Sequence, residues 1–298
     1  MNSPKLTRLF TTAAVVGALS VPALADGHEE EGIFIPGASA EVTLDYVTQY
    51  FFRGYEQSNT DTGGSLQPGA SLTLDVVEDV TATIGVWSAF EFDAPAANAN
   101  PSAFYENDVY ASLDTTMGDF SMGAGLTYFT YPGPGGNDVL EAFAYLGYDD
   151  SDLLGDFAFA PYILIATELN NSNVNFGAPQ PGKEATYLEV GGEFGIPTEG
   201  TAIEAWSWSV PFAFGLSLDD YYNDASGAEE FFGYASVGLS GSIAMSELIG
   251  TDEWVGAWDL SVGITVLFLN SDVAMTDNTA DESDNVQLIG TVGISRSW

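Results

Sequence analysis

A single histidine, His28, and the absence of cysteine limit the chemistry open to this chain. Neither a Ser–His pair nor a thiolate nucleophile can be assembled from it inside a folded body. Carboxylate pairs are available among 43 acidic residues, but spacing singles out no two of them. His28 runs into Glu29, Glu30 and Glu31 and reads as part of a solvated charged lead-in rather than a metal site. Asp277, Asp281 and Asp284 carry the oxygen ligands that Ca²⁺ takes. Their spacing is not that of an EF-hand loop and the turn glycine is missing, so a solvated loop is the plainer reading. No enzyme and no cofactor is expected.

The informative charge is the rare positive one. Beyond residue 25 the basic residues are Arg53, Lys183 and Arg296, set against the 43 acids. Arg53 sits in the run Asp45-Tyr46-Val47-Thr48-Gln49-Tyr50-Phe51-Phe52-Arg53-Gly54-Tyr55-Glu56-Gln57-Ser58. A period of two puts Glu41, Thr43, Asp45, Gln49 and Arg53 on one face of a strand and Val42, Leu44, Tyr46, Tyr50 and Phe52 on the other. Arg53 is then expected inside, near one mouth, paired with Asp45, Glu91 or Asp93. It is either a constriction charge that shapes selectivity or an ion pair that fixes a loop.

The elements that position these residues are strands. The last stretch alternates Val286, Leu288, Gly290, Val292, Ile294, Arg296 and Trp298 against Asn285, Gln287, Thr291, Gly293, Ser295 and Ser297, with Ile289 the only large apolar residue on the polar side. About twelve such segments follow one another, near 39–54, 66–76, 80–93, 104–115, 119–131, 138–149, 156–170, 184–196, 206–219, 229–242, 257–270 and 285–298. Each is long enough for the about 9–11 residues of a tilted bilayer-crossing strand. Val80, Ala82, Ile84, Val86, Phe90 and Phe92 oppose Thr81, Thr83, Trp87, Glu91 and Asp93. Leu188, Val190, Phe194 and Ile196 oppose Tyr187, Glu189, Gly191 and Glu193, and Trp258 to Phe268 oppose Asp259, Ser261, Gly263 and Thr265. Charge in mid-strand on the second face suits a wet lumen rather than the dry core of a sandwich.

Connections alternate as well. They are long and polar at 55–65, 94–103, 132–137, 171–183, 220–228 and 271–284, and tight at Val77-Glu78-Asp79 and Thr116-Met117-Gly118. Stretches 150–155, 197–205 and 243–256 are longer and blur the pattern. Aromatic residues near segment ends (Tyr50, Phe51, Phe52; Tyr128, Phe129, Tyr131; Trp206, Trp208; Tyr221, Tyr222; Trp254, Trp258; Trp298) are expected to form two interfacial girdles.

The first 25 residues have the form of a cleavable export signal: Lys5 and Arg8, an apolar run over 9–21, and Ala23-Leu24-Ala25. The expected organisation is therefore signal peptide 1–25, acidic lead-in 26–38 and barrel 39–298. The fold class is all-β, a transmembrane antiparallel up-and-down barrel of about twelve strands. Net charge of −38 excludes nucleic acid as a natural partner.

The run at Tyr50, Phe52, Arg53, Gly54 and Ser58 resembles the opening strand of the TorF-type porin family, with Gly85-Val86-Trp87 and the aromatic C-terminus as looser support. The resemblance implies a bacterial outer-membrane barrel with channel function and supplies no substrate; the strong acidity here departs from it. The expected function is passive diffusion of small solutes or ions, preferring cations, through a lumen lined by Glu41, Asp45, Gln49, Arg53, Glu91, Asp93, Glu189, Glu193 and Asp259. The expected partners are outer-membrane lipid, small solutes or cations, and the barrel-assembly machinery through the strand ending in Trp298; oligomeric state is left open. Three alternatives stand beside this: a non-conducting structural or adhesion barrel, behind it a barrel enzyme, and acidity that serves solubility in a saline habitat.

Overall fold

A computed structural model of the chain describes residues 37–57, 64–92, 104–132, 138–169, 184–224, 226–250, 257–273 and 285–298. The export signal, most of the lead-in, His28, Asp93, Trp254 and the candidate Ca²⁺ ligands Asp277, Asp281 and Asp284 lie outside the described residues. Among the described residues fourteen strands are formed: β1 Ala38–Val47, β2 Phe51–Phe52, β3 Tyr55–Glu56, β4 Ser65–Val77, β5 Val80–Glu91, β6 Phe104–Met117, β7 Phe120–Thr130, β8 Val139–Tyr148, β9 Tyr162–Glu168, β10 Thr186–Ile196, β11 Ser207–Asp219, β12 Phe232–Ala244, β13 Asp259–Leu269 and β14 Val286–Ser297. All but β2 and β3 form one closed antiparallel barrel, each strand beside its sequence neighbour, with β1 completing the ring between β14 and β4. Closure reaches the end of the chain: Trp298 and Ala40 exchange backbone hydrogen bonds of 2.9 and 3.1 Å. Among the described residues no helix is long and apolar enough to cross a membrane.

The alternation of side chains sorts the two faces as the sequence does. On β5, Ile84, Val86 and Phe90 are exposed, while Trp87 and Ala89 are buried inside. On β14, Leu288 and Val292 point out and Ile289, the apolar residue on the polar parity, is buried in the lumen. Outward positions on other strands carry Leu72, Leu113, Leu126, Ile165, Leu239 and Ile264, all exposed. A continuous apolar belt of this kind is stable against hydrocarbon and unfavourable against water. Val86 lies near mid-strand on that belt and is 46% exposed. Val86→Arg is expected to cost about 2–4 kcal/mol in a bilayer, while Ser240→Arg, on the lumen side of β12, leaves stability near that of wild type. Denaturant titration of protein folded into lipid vesicles measures both.

The two ends differ. At one end β4–β5 and β6–β7 are joined by the two-residue turns Glu78-Asp79 and Gly118-Asp119, whose Asp79 and Gly118 have φ of 61° and 63°. The same end carries the longer connections after β8, β10 and β12, two of which hold the short helices α1 Ser151–Leu154 and α2 Met245–Ile249. Neither helix is evident in the alternation. The seventh expected strand is shorter than 156–170 for a related reason. Asp150 accepts backbone N–H bonds from Phe159 and Ala160 at about 3 Å, so this stretch curls beneath the barrel before β9 begins at Tyr162.

The first segment needs a larger correction. The expected strand over 39–54 ends at Val47, and the chain then folds back into the lumen. Phe51–Phe52 and Tyr55–Glu56 form a miniature hairpin, paired Phe51 with Glu56 and Phe52 with Tyr55. At its tip Arg53 and Gly54 both have positive φ, 49° and 85°, as a two-residue type I′ turn requires. Gly54 fits that conformation without strain, and Arg53 does not.

Candidate functional site

The inward hairpin fills the half of the lumen at the long-loop end. Phe51 and Tyr55 pack with Phe143, Tyr187, Tyr221, Tyr222, Tyr234, Leu267 and Ile289. Tyr50 and Phe52 pack with Val47, Trp87, Ala89, Phe129 and Val139. The wall thus grips the hairpin from both sides. The expected girdle positions Tyr50, Phe51, Phe52, Phe129, Tyr221 and Tyr222 therefore belong to an interior layer, not to a lipid interface; Tyr128 and Trp298 remain on the outside, and Trp206 stacks on Trp208 with centroids 5.4 Å apart. Tyr221 and Tyr222 reach this layer because the loop after β11 turns inward. Gly233 makes room for it: a Cβ there would lie 2.1 Å from the Tyr222 ring.

Arg53 is inside, as expected, but among the described residues its ion-pair partner is Glu141 on β8 rather than Asp45 or Glu91; Asp93 lies outside the described residues. Because the hairpin turns across the lumen, its tip reaches the opposite wall instead of the neighbouring strands. Nη1 and Nη2 donate to the two carboxylate oxygens of Glu141 at 2.6 and 2.8 Å, a bidentate fork. Nη1 also lies 3.3 Å from the Tyr221 hydroxyl. The guanidinium carbon stands 4.3 Å from the centroid of Tyr187, 4.8 Å from Phe52 and 5.6 Å from Tyr221. Burial pushes the Arg53 pKa down, but the charge and hydrogen bonds of Glu141 together with Tyr221 and Tyr187 outweigh it and hold the group well above the ordinary arginine value. The Tyr222 hydroxyl donates to the Arg53 carbonyl at 2.9 Å, and Tyr55 donates to the Tyr221 carbonyl at 3.2 Å, so loop and hairpin lock each other.

Two further carboxylates hold the layer to the wall. Glu106 on β6 accepts from Tyr50 at 2.8 Å and from Tyr131 at 2.9 Å. Glu189 on β10 accepts from Tyr162 and Tyr234, each at 2.7 Å, and from Tyr187. Glu189, one of the candidate lumen-lining residues, faces inward and is a buried acceptor for three tyrosines. Asp108 on β6 is buried beside them, and its Oδ1 has no hydrogen-bond partner among the described residues.

The other expected lining residues separate by depth. Glu41, Asp45 and Asp259 face the chamber at the short-turn end, where the inward positions are otherwise mostly Ser, Thr and Gly. The small residues of β14 between β1 and β13 let Asp45 lean inward, its Oδ1 only 1.9 Å from where a Cβ on Gly293 would stand. Glu193 joins this chamber, the next inward position beyond Gly191 and on the far side from Tyr187. Glu91 ends β5 at the long-loop rim, and Gln49 lies beyond β1 on the path into the hairpin. Among the described residues they form no single ring of charge.

Glu141, Glu106, Tyr187 and Tyr221 are the residues that sequence reasoning missed. Glu141 sits among Val139, Leu140, Ala142 and Phe143, apolar on both parities. An acid in such a run must find a partner inside the protein, which was the available signal.

No curated protein matches this chain. Among solved structures it is similar to an outer membrane channel from Pseudomonas putida F1, with 10% identity over 92% of this chain and 100% of that one and a TM-score of 0.49. It is similar also to the translocator domain of the autotransporter NalP from Neisseria meningitidis, with 9% identity over 87% of each chain and a TM-score of 0.42. A third is the anion-selective porin from Comamonas acidovorans, with 9% identity over 88% of this chain and 98% of that one and a TM-score of 0.36. A family model described as "Bacterial protein of unknown function (Gcw_chp)" matches residues 37–245, which hold the inward hairpin, its Glu141 and Glu189 supports and all barrel strands through β12. The chain belongs to this Gcw_chp family.

Proposed function

We propose that this chain is an outer-membrane channel of the TorF type, that it passes small cations, and that the described structure is its closed state. One observation carries the reading. The chamber at the short-turn end is faced by Glu41, Asp45, Asp114, Glu193 and Asp259, and no Lys or Arg among the described residues joins them. Carboxylates inside a low-dielectric wall raise the local cation concentration and repel anions. Acidity acquired only for solubility would be confined to exposed loops, and these residues are half-buried or face the lumen. The apolar belt supports a bilayer as surroundings, and the long-loop end would face outward with both termini in the periplasm. On the same reading the strand ending in Trp298 is the segment offered to the assembly machinery.

The test is a planar bilayer with purified protein under a KCl gradient. The reversal potential takes the sign of a cation-preferring pore, and Asp45→Asn with Asp259→Asn moves it toward zero. An anion-preferring sign overturns the reading. The filled outer half of the lumen favours a second reading, a barrel that never conducts. Silence from both wild type and a variant with the hairpin released would establish that reading in its place.

A further inference from the structure

We propose that Glu141, Tyr187 and Tyr221 form a recognition site for guanidinium-bearing solutes, filled in the closed state by the chain's own Arg53. This rests on the channel reading for its consequence, opening, but not for the binding itself. The site has the features that discriminate a planar delocalised cation. A carboxylate meets the guanidinium edge through two parallel hydrogen bonds of 2.6 and 2.8 Å, and aromatic rings lie within 4.3 to 5.6 Å of its carbon. Fork and faces together match guanidinium and mismatch a compact ammonium or a hydrated metal ion.

Three observations set this site apart from an ordinary structural ion pair. First, its components divide between rigid and detachable parts. Glu141 and Tyr187 belong to barrel strands β8 and β10, whereas Arg53 is at the tip of a six-residue hairpin that no other strand among the described residues pairs. Exchange of Arg53 for a free cation leaves the wall half of the site intact. Second, Arg53 occupies its place at φ 49°, a conformation uncommon for any residue but glycine. Positive-φ side chains persist where their surroundings over-determine them and cluster at clamps and switches. A free ligand fills the same site without that strain. Third, the site lies in an excess of buried carboxylate. Glu106, Asp108, Glu168 and Glu189 share the outer half of the lumen with Arg53, the only Arg or Lys among the described residues to enter it. The field there favours a positive ligand over none.

The consequence is linkage. A solute that binds the site only when Arg53 has left it shifts the hairpin toward release by its differential affinity for the two states. The cargo would thus unlatch its own path.

The experiment uses the full chain in detergent, with Arg53→Ala to vacate the site and guanidinium chloride as the probe. Low-millimolar guanidinium is far below denaturing concentrations. It is expected to raise the unfolding temperature of Arg53→Ala by a few degrees, whereas sodium chloride at equal ionic strength does not. Arg53→Ala combined with Glu141→Gln loses the response. Equal responses to the two salts, or an undiminished response in the double variant, overturn the proposal. If Arg53→Ala fails to fold, Arg53→Lys keeps the charge, loses the fork and takes the same titration. Wild type in bilayers gives an independent arm: guanidinium increases the open fraction several-fold over sodium, and no difference between the two counts against the site. A cation-preferring pore without any guanidinium response would refute this site and leave the channel reading standing. A guanidinium shift in a protein that never conducts would do the reverse.

Discussion

Arg53→Ala is expected to unseat the inward hairpin, to lower stability by about 3–5 kcal/mol and to raise conductance. The magnitude follows from what is left behind. Removing one partner of a buried, bidentate pair strands the other charge without solvent, and that penalty exceeds the net worth of the pair itself. Glu141 has 2% exposure and no second basic group among the described residues within its reach. The guanidinium also supports the rings of Phe52, Tyr187 and Tyr221, so its loss opens a void in the interior layer. Glu141→Ala should cost a similar amount. The double variant Arg53→Ala with Glu141→Ala should cost clearly less than the two single losses together, because each removes the same contact. Denaturant unfolding followed by tryptophan fluorescence gives the energies; Trp87 packs on Tyr50 with centroids 5.5 Å apart and reports the hairpin directly. Single-channel recording gives the functional half. Wild-type conductance in Arg53→Ala would mean that the hairpin is not the barrier.

The strand pattern was legible because lipid outside and water inside impose opposite demands on successive residues. Ten of the barrel strands match the expected segments to within a few residues, β1 and β9 being shorter, and their parities sort as expected. The same reasoning failed at Tyr50 to Tyr55 for a specific cause. A strand running on into lipid and a hairpin folded into a packed lumen both call for large apolar side chains, and periodicity cannot distinguish the two environments. Only the Arg53-Gly54 pair between aromatics marks a turn, and arginine is an unusual occupant of it. The girdle expectation failed with it, since Tyr221 and Tyr222 follow Asp220, whose φ of 47° turns the chain inward. Composition carries no trace of that angle. Acidic inward positions were legible individually, but their sorting into an open chamber and a tyrosine-satisfied layer depends on which hydroxyls reach them across the barrel. Glu141 and Arg53 are 88 residues apart in the chain, and nothing local joins them.

Glu189→Ala tests whether that layer is held by its walls or only by the hairpin. Glu189 accepts hydroxyl hydrogen bonds from Tyr162 on β9, Tyr187 on β10 and Tyr234 on β12. Each bond to an ionised acceptor is worth about 1.5–3 kcal/mol, and a buried donor left without an acceptor pays its own desolvation. The losses do not add. The Tyr187 and Tyr234 hydroxyls lie 2.9 Å apart and can satisfy each other, and Tyr162 is only half-buried. The expected cost is therefore about 2–4 kcal/mol, with Glu189→Gln between this and wild type because an amide retains one acceptor. The functional outcome separates two roles. Glu189 does not touch the guanidinium; it positions the Tyr187 ring, which lies 4.3 Å from it. If that positioning matters, Glu189→Ala weakens guanidinium recognition and partly opens the channel, and Glu189→Gln restores both. If Glu189 only stabilises the barrel, denaturation shifts while the guanidinium response and the closed-state conductance stay at wild-type values.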